Sequence, residues 1–376
     1  MKKHREAIIL DPLQFYLITD LHYFENSLGA EGEAYEARSL TDQKCIAETG
    51  AIIDSAFAQL AADTQVNNIL IAGDVTFNGE AESHKVMIKK LDELRAKGKK
   101  IYMITGNHDG DHETYAFSGA ERIDVEGTKR EILPDLYYEY GLKDAIAVED
   151  NRRCYVAQLG EGVRMLGIYY NLGNNNTGFE DSMDWMLEQI ADAQRCGSLI
   201  FGMTHVPILP GAPVLALAGD ATIHGRKRIA RRLAEAGMPL IFTGHMHMQS
   251  VNKRTARGGK FIFDICTGSL AGGPCAIRKV TIDEAQVMRI TTSTVADFDW
   301  DKRGMTAEEY FVWRFNRKIA NEILSKIKNE QLACFLGKRK LFRFIVERVR
   351  NIFYGNRADS NAVIDLRRGT VTELPT

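Results

Sequence analysis

Apolar runs and segments of helical periodicity alternate along the first 300 residues. Five of the apolar runs end in polar residues, as buried strands do where they leave a sheet. They are Phe15–Asp20, Asn68–Asp74, Lys100–Gly106, Leu199–His205 and Pro239–His245. The intervening segments predict helices at about 41–62, 81–97, 182–195 and 225–236. Strands that alternate with helices of this length indicate βαβ units and a largely parallel sheet, so we assign the chain to the α/β class.

The rest of the chain divides into two predicted regions. An irregular insert at about 111–150 interrupts the alternation, and residues 260–295 predict a closing set of antiparallel strands. Beyond residue 306, apolar residues recur about every four positions over 311–327 and again over 341–352, which predicts two amphipathic helices. We therefore expect a main domain over residues 1–300 and a helical C-terminal extension over residues 301–376. The last segment, 358–376, is expected either to add an edge strand or to stay mobile.

Composition excludes several classes of protein. The chain has 376 residues, of which 45% are hydrophobic and 26% charged, so it can bury a sizeable core. No run approaches the roughly 20 apolar residues of a membrane-spanning helix, and the first residues show no secretory pattern. The 6 cysteines are scattered without a Cys-x-x-Cys pair, as expected for reduced thiols. We therefore predict a cytoplasmic protein with no transmembrane segment.

Charge is unevenly distributed along the chain. The formal net charge is −2, but residues 302–357 contain 14 basic and 5 acidic residues, a net +9, so the remainder carries about −11. Three interpretations of this basic extension stay open: it packs on the main domain, it attracts an anionic substrate to the site, or it contacts a membrane or nucleic acid. Nucleic acid is the least favoured partner, because the basic cluster 338–340 is too small to indicate recognition by itself.

Aspartate and histidine residues collect where the five apolar runs end. The sequences there are Asp20-Leu21-His22, Gly73-Asp74, Gly106-Asn107-His108-Asp109, Thr204-His205 and Gly244-His245-Met246-His247. In an open α/β sheet the carboxyl ends of the strands share one edge, so these side chains can face one crevice.

This donor set predicts a metal centre. Carboxylate, amide and imidazole donors without a thiolate suit Mn, Fe, Zn or Co. The donors are too many for one ion, but they could fill two adjacent sites if one carboxylate bridges. Two ions about 3.5–4 Å apart form the clamp used for in-line attack on phosphorus. The seven candidate ligands are Asp20, His22, Asp74, Asn107, His205, His245 and His247.

The ordered set D-x-H, G-D, G-N-H-D, H and G-H-x-H resembles the calcineurin-like metallophosphoesterase superfamily, over about residues 15–295. The resemblance implies a four-layer α-β-β-α sandwich with a dinuclear centre of Mn, Fe or Zn ions. The ligands that it implies are Asp20, His22 and His247 for the first metal and Asn107, His205 and His245 for the second, with Asp74 bridging. The catalytic residues that it implies are Asn107, His108 and Asp109.

The resemblance also implies a mechanism. A hydroxide that bridges two divalent or trivalent ions attacks phosphorus in line, and the metals with Asn107 stabilise the charge that builds on the phosphoryl oxygens. His108, if protonated, stabilises that charge or protonates the leaving alkoxide. Asp109 is expected to orient His108 through a hydrogen bond. The expected substrate is a small phosphate ester.

Departures from subfamily patterns narrow the choice of substrate. Phe77 stands where purple acid phosphatases have a tyrosine ligand, and the segment 73–79 lacks the arginine of Ser/Thr protein phosphatases. The segment 73–80 with Ser83-His84 looks like the bacterial class III cyclic-nucleotide phosphodiesterases, which favours phosphodiesters and makes cyclic nucleotides candidate substrates. The alternatives are a phosphomonoesterase or nucleotidase, a nuclease, and a non-catalytic binding protein on this fold. The oligomeric state stays open.

Several other residues receive structural interpretations. We expect His84 to be a surface or capping residue, and His112 to be a loop residue more often than a substrate contact. The aromatic residues of the insert could wall a pocket for a base, but core packing is the favoured interpretation. They include Tyr115, Phe117, Tyr137, Tyr138 and Tyr140.

Overall fold

Two seven-stranded β-sheets stack face to face in the computed structural model, and helices cover the outer face of each sheet. The structure describes residues 12–169, 178–212, 222–327 and 330–375. The layers follow the order helix, sheet, sheet, helix, which confirms the predicted α/β class and the four-layer α-β-β-α sandwich. Further helices form the predicted helical C-terminal region.

Strands and helices alternate through most of the described chain. The strands are β1 (Leu13–Ile18), β2 (Asn68–Ala72), β3 (Lys100–Ile104), β4 (Tyr115–Ser118), β5 (Glu121–Asp124), β6 (Ala145–Val148), β7 (Cys154–Gly160), β8 (Val163–Ile168), β9 (Leu199–Thr204), β10 (Leu240–Thr243), β11 (Ser250–Thr255), β12 (Phe261–Cys266), β13 (Ala276–Ile282), β14 (Val287–Thr294), β15 (Ala362–Asp365) and β16 (Thr370–Glu373). The α-helices are α1 (Glu33–Thr41), α2 (Thr49–Ala62), α3 (Ala81–Ala96), α4 (Leu133–Leu136), α5 (Gly178–Asp181), α6 (Met183–Arg195), α7 (Arg226–Ala236), α8 (Ala307–Ser325), α9 (Glu330–Gly337), α10 (Lys340–Tyr354) and α11 (Arg357–Ser360).

The two sheets share a mixed topology. The first has the strand order β16-β15-β14-β13-β1-β2-β3, and the second has the order β11-β12-β10-β9-β8-β7-β6. Strands β1, β2 and β3 run parallel in the first sheet, as do β8, β9, β10 and β12 in the second. Antiparallel strands extend both sheets. Of the antiparallel set predicted within residues 260–295, β13 and β14 are antiparallel in the first sheet, but β12 lies in the second sheet and runs parallel to β10. The parallel strands β1, β2, β3, β9 and β10 correspond to the five apolar runs of the sequence, and each ends before its polar residues.

Large apolar side chains fill the space between the sheets. Phe15 on β1 stacks on Phe201 of β9 with ring centroids 5.6 Å apart, and it meets the edge of Phe242 on β10 at 5.7 Å. These side chains are fully buried, and each aromatic pair adds about 0.5–1.5 kcal/mol beyond the burial of its area. This core packing therefore fixes the relative positions of the strands that lead to the Asp20, His205 and His245 motifs.

The C-terminal region is part helix and part sheet. Helices α8 and α10 lie where the four-residue apolar spacing predicts them, and they pack on each other through Phe315, Ile319, Phe342 and Val346. The expected additional strand is also present: β15 pairs with β14, and β16 pairs with β15 at the edge of the first sheet. Within the described chain, no helix combines the length and the apolar character needed to cross a bilayer.

The insert packs its aromatic residues into the core. Tyr115 and Phe117 on the β4–β5 hairpin meet the edges of Phe24 and Phe77 in a buried cluster, whereas Tyr138 is exposed. Tyr137 and Tyr140 are also buried. The prediction of core packing is thus confirmed for these four buried rings.

The helix predicted at about 41–62 is wrong in its first turns. Helix α1 ends at Thr41, and α2 begins only at Thr49. Between them the Asp42 carboxylate accepts a hydrogen bond from the Lys44 backbone, and the Cys45 backbone N–H donates to Ala271 O at 2.6 Å. Asp42 offers the chain an alternative to helical hydrogen bonding, which explains the break. The segment 42–48 therefore runs inward as a buried turn.

A buried ion pair joins this turn to α8. The carboxylate of Glu48 lies 3.0 Å from Arg314 Nε and accepts a hydrogen bond from Tyr310 OH at 2.6 Å. Arg314 also donates to Ser39 O at 2.8 Å. The side chains of Glu48 and Arg314 are 3% and 10% exposed, so the pair is shielded from solvent. The C-terminal region is thereby fastened to residues 42–48 through charge as well as through apolar packing.

Replacing Arg314 by methionine is expected to lower the free energy of unfolding by about 3–5 kcal/mol, because Glu48 would remain buried without its cation. Urea unfolding followed by circular dichroism measures this change. The matched control is Arg232→Met, which breaks the exposed pair with Asp184 and should cost less than about 1 kcal/mol. Equal losses in the two variants would show that the buried pair does not hold α8 in place.

Candidate metal centre

The five motif segments meet at one edge of the two sheets, where the parallel strands end. The segments after β1 and β2 run side by side: Asp20 N–H donates to Gly73 O and His22 N–H donates to Asp74 O, both at 2.9 Å. Gly244 N–H in turn donates to His205 O at 2.9 Å, which joins the segments after β9 and β10. The carboxyl ends of strands from both sheets thus form one crevice, as the sequence predicts.

Asp20, His22 and His247 form the first candidate metal cluster, and all three are buried. His22 Nε2 and His247 Nε2 lie 3.0 Å apart, and Asp20 Oδ1 lies 3.6 Å and 3.1 Å from these two nitrogens. The other carboxylate oxygen, Asp20 Oδ2, accepts hydrogen bonds from Thr19 Oγ1 and from His245 N–H. One oxygen is therefore fixed by the protein, and the other faces the two imidazoles.

Asp74, His205 and His245 form the second candidate cluster. Asp74 Oδ2 lies 3.1 Å from His205 Nε2, while Asp74 Oδ1 accepts the His108 backbone N–H at 2.7 Å. Asn107 joins this cluster, since its Oδ1 lies 2.8 Å from His245 Nδ1. The structure therefore brings all seven predicted ligands together in the two groups that the sequence implies.

Asp74 stands between the two clusters. Its Oδ2 faces His205 of the second cluster at 3.1 Å and His22 of the first at 3.7 Å. A carboxylate oxygen shared in this way can contact ions on both sides, as the bridging role requires.

The geometry fits positive ions. His205 Nδ1 donates to Ala72 O at 2.7 Å, which leaves the Nε2 lone pair directed at the Asp74 carboxylate. Within the part of the chain that the structure describes, buried Asp20 Oδ1 and His205 Nε2 have no hydrogen-bond partner. An imidazole lone pair facing a carboxylate oxygen is repulsive unless a cation or a proton lies between them. The donor set suits Mn, Fe or Zn.

Electrostatic effects on the pKa values agree with this fit. Burial raises the pKa of Asp20, but the imidazoles of His247 and His205 hold it well below its usual range. Burial likewise raises the pKa of Asp74, and His205 and His108 hold it well below its usual range. Burial lowers the pKa of His205, yet Asp74 and Asp20 raise it to about 9. The carboxylates thus stay ionised, and they favour a positive charge on the His205 side, as a proton or a metal ion would supply.

Five of the seven candidate ligands adopt left-handed backbone conformations. The φ angles are 54° at Asp20, 45° at His22, 52° at Asp74, 65° at His245 and 50° at His247. Such conformations cost of order 1–3 kcal/mol at a residue other than glycine and concentrate at functional sites. The two histidines after Gly244 lie beyond the end of β10, outside the regular strand.

Two glycines let these turns approach each other. A Cβ atom at Gly106 would collide with the Asp74 carboxylate, and one at Gly244 would collide with Asp20 and Thr19. Both glycines therefore keep room for a carboxylate of the centre, which gives the Gly-Asn-His-Asp and Gly-His-x-His motifs a steric reason for their first residue.

A sequence profile described as Calcineurin-like phosphoesterase matches residues 13–249, and this span contains all seven candidate ligands. The chain belongs to this family. A metallophosphoesterase is a metal-dependent phosphoester hydrolase, and the two clusters fit the dinuclear centre of the family.

Solved structures that are similar to this chain have low sequence identity. A dimetal phosphatase from Danio rerio is 15% identical with a TM-score of 0.53, over 77% of this chain and 98% of the other. A purple acid phosphatase from yellow lupin (Lupinus luteus) is 12% identical with a TM-score of 0.48, over 80% of this chain and 53% of the other. At these identities the likeness concerns the fold alone.

Lys44 is a residue of this metallophosphoesterase site that sequence analysis misses. Its Nζ lies 3.2 Å and 3.3 Å from the two ring nitrogens of His108 and donates to Phe77 O at 3.4 Å. The side chain is buried, which lowers its pKa, while Asp42 and Asp74 raise it. Lys44 lies in the broken part of the predicted helix, so the helical pattern gives no sign of its inward direction. The Asp42-to-Lys44 turn is the only signal that could have revealed it.

His108 lies beside the first cluster, at the mouth of the site. Its ring packs edge-on against His22 with centroids 5.1 Å apart, and Asn78 Oδ1 lies 3.0 Å from its Nδ1. His112 stacks on its other side at 4.7 Å and 5°. His112 lies in a loop, as expected, and its ring covers the ring of His108.

The predicted hydrogen bond from Asp109 to His108 is wrong. Asp109 Oδ1 accepts from the backbone and hydroxyl of Thr76 at 2.9 Å and 3.0 Å, and Oδ2 accepts from Gly106 N–H at 2.8 Å. The carboxyl group is fully buried beneath the 106–109 turn. This burial, together with the charge of Asp74, raises its pKa to about 7. Asp109 therefore ties the segment after β3 to the segment after β2 and positions Asn107 and His108 through the backbone.

The surface position expected for His84 is also wrong. His84 is 1% exposed, accepts a hydrogen bond from Tyr137 OH at 2.6 Å and lies 2.8 Å from Asp109 O, to which its Nε2 donates. Burial lowers its pKa to about 4, so it is neutral at physiological pH. His84 thus supports the 106–109 turn through its hydrogen bond to Asp109 O. Its position at the start of a predicted helix could not show whether the side chain is buried or caps the helix.

Proposed function

We propose that this metallophosphoesterase hydrolyses phosphodiesters and that cyclic nucleotides are the natural candidates to test first. The proposal rests on the charge of the site around the two clusters. Phosphoester hydrolysis follows from the family, and the ester class is inferred from what surrounds the metal ligands.

The observation that carries the proposal is the position of Lys44, whose Nζ lies beside both ring nitrogens of His108. Among the described residues, no arginine forms a hydrogen bond or ion pair with Asp20, Asp74 or His108. Monoester phosphate carries about two charges and is recognised well by the fork of an arginine, whereas a diester carries one charge that a lysine matches as a point charge. The charge of Lys44 therefore suits a diester better than a monoester.

The residues of the chain have distinct roles in this proposal. The seven ligands hold two ions of Mn, Fe or Zn, which when bound would act as Lewis acids on the phosphoryl group and acidify an attacking water. Lys44 donates a hydrogen bond to a phosphoryl oxygen and stabilises its growing charge. His108 lies beside the leaving oxygen, and His112 shields its ring from water. Asp109 and His84 keep the 106–109 turn in position.

Within the diester class, cyclic nucleotides are favoured because the segment 73–80 looks like that of the class III cyclic-nucleotide phosphodiesterases. The buried aromatic residues of the insert supply no stacking surface for a base, because they pack on one another. Selection for cyclic nucleotides would therefore come from the phosphodiester and its ring, and weak discrimination between adenine and guanine is expected.

Hydrolysis of bis(p-nitrophenyl) phosphate and p-nitrophenyl phosphate, after incubation with Mn²⁺, tests the ester class. We expect kcat/KM for the diester to exceed that for the monoester by about tenfold or more, because Lys44 compensates one charge. Cyclic and linear dinucleotide phosphates follow in the same assay. Asp184→Asn, an exposed change far from the motifs, serves as the control.

Preference for the monoester would overturn the phosphodiester proposal and favour the phosphatase or nucleotidase alternative. Equal turnover of cyclic and linear diesters would contradict the cyclic-nucleotide choice alone. Absence of turnover of every ester, with two metals bound, would favour the non-catalytic alternative.

A further inference from the structure

A row of apolar side chains lies on the outer surface of α10. Leu341, Phe344, Ile345 and Ile352 are 69%, 51%, 43% and 43% exposed. Their spacing places them on one side of the helix. Phe335 of α9 is 52% exposed and lies near in sequence. Six of the 14 large apolar side chains that are exposed in the described residues fall between positions 332 and 352.

Another side of α10 fixes the helix to the protein. Phe342 and Val346 are buried against Phe315 and Ile319 of α8. The exposed row is therefore held in place by a packed helix and is not a by-product of a loose chain end. The face is preformed, so a partner need not order it.

Basic residues are interspersed with the apolar row along the sequence. Residues 338–350 contain six basic residues and one acidic residue, a net +5. Lys338, Arg339, Lys340, Arg343 and Arg348 are exposed and form no ion pair with the described residues. An exposed apolar row beside unneutralised basic charge is the pattern of a helix that lies in the plane of an anionic membrane surface.

We propose that the α9–α10 face docks on an anionic lipid bilayer. Apolar side chains would enter the acyl boundary, and the basic residues would meet lipid phosphates. A second copy of the chain is disfavoured, because the same net +5 surfaces would face each other. A nucleic acid would neutralise the charge but give the leucine and isoleucine side chains no apolar contact. A bilayer satisfies both.

A hydrogen bond connects the end of α10 to the segment that follows the ligands of the metal centre. Phe353 O, at the end of α10, accepts a hydrogen bond at 2.7 Å from Gln249 N–H, two residues after His247. A chain bound through α10 would therefore hold this end of the metal centre close to the membrane surface.

Vesicle co-sedimentation with the full chain tests the proposal. The probes are vesicles of phosphatidylcholine alone and of phosphatidylcholine mixed with phosphatidylglycerol, each at low and high salt. We expect binding to the anionic vesicles only, and its loss at high salt, because the screening length shortens. The triple variant Leu341→Ser, Phe344→Ser, Ile345→Ser should bind at least about 100-fold more weakly, since three apolar anchors are removed.

Matched variants separate the two contributions. Ile123→Ser, Ile132→Ser and Ile146→Ser together change three exposed isoleucines elsewhere and should leave binding unchanged. Lys340→Glu with Arg343→Glu should weaken binding by about 25-fold or more, while Lys89→Glu with Lys97→Glu should not. Circular dichroism and hydrolysis of the chromogenic diester check that each variant is folded.

Equal binding to neutral vesicles, or none to anionic ones, would overturn the proposal. So would a dimer in analytical ultracentrifugation that dissociates in the triple serine variant, which would identify a second copy as the occupant. Retention of duplex DNA by the triple variant, with loss in the charge-reversal variant, would identify nucleic acid instead.

Discussion

Asp74→Asn is expected to lower kcat for the chromogenic diester by about 1,000-fold or more. The carboxylate oxygen that faces both His205 and His22 would become part of a neutral amide, so the negative charge between the clusters would be lost. Each ion contributes several kcal/mol to charge stabilisation in the transition state, and about 1.4 kcal/mol corresponds to a tenfold change in rate. The same change should reduce metal content below two ions per chain, measured by mass spectrometry of the dialysed protein.

The control for this variant is Asp63→Asn. Asp63 is also paired, with Lys279 at 2.9 Å and with Tyr16 OH at 2.8 Å, but it lies at the other end of the strands. Its activity and metal content should equal those of the wild type. Normal metal content and turnover in Asp74→Asn would overturn the assignment of Asp74 to the centre, and loss in both variants would indicate general unfolding.

Lys44→Met is expected to reduce kcat by about 10–100-fold without loss of metal. Methionine has a similar length but no charge, so it removes the hydrogen bond and the positive charge beside His108. Hydrogen bonds to charged groups contribute about 1.5–3 kcal/mol, which corresponds to this range in rate. KM should change less than kcat, because the charge on the phosphoryl oxygens grows in the transition state.

Lys99→Met supplies a matched control for a buried lysine. Lys99 is 4% exposed and donates to Val66 O at 2.7 Å, at the start of β3 and therefore far from the carboxyl ends. Its variant should keep kcat, whatever its loss in the free energy of unfolding. If Lys44→Met lost metal in proportion to activity, Lys44 would be a structural support of the centre and not a contact to the phosphoryl group.

The strands that lead to the metal centre could be predicted from the sequence, because an apolar run followed by polar residues is a pattern of neighbouring residues. Five apolar runs end at Asp20, Asp74, Asn107, His205 and His245, and the carboxyl end of a parallel strand is where a chain turns out of a sheet. The grouping into two clusters is what the family resemblance implies, and the structure brings the residues together in the same two groups. The order of strands within each sheet could not be read from periodicity, because β15 and β16 join β14 from far along the chain.

The residues that sequence analysis misses depend on contacts between distant segments. Lys44 approaches His108 only because α2 begins at Thr49, and the break at Asp42 is masked by helical spacing on both sides. Asp109 bonds Thr76 because its turn lies under the segment after β2. Pattern alone contains no information about which turn lies beneath which.

Folding of the first sheet depends on residues 307–373, which are synthesised after its other strands. Residues 307–373 leave the ribosome after the other strands of both sheets, yet β15 pairs with β14 in the sheet that contains β1. In the same segment, Arg314 pairs with Glu48, and Asp359 O accepts a hydrogen bond from Arg278. Until then a buried carboxylate and a buried guanidinium lack part of their bonding, at a cost of several kcal/mol per ion. The native fold therefore forms only after residues 307–373 emerge, so a ribosome that stalls before them exposes an incomplete sheet edge to chaperones.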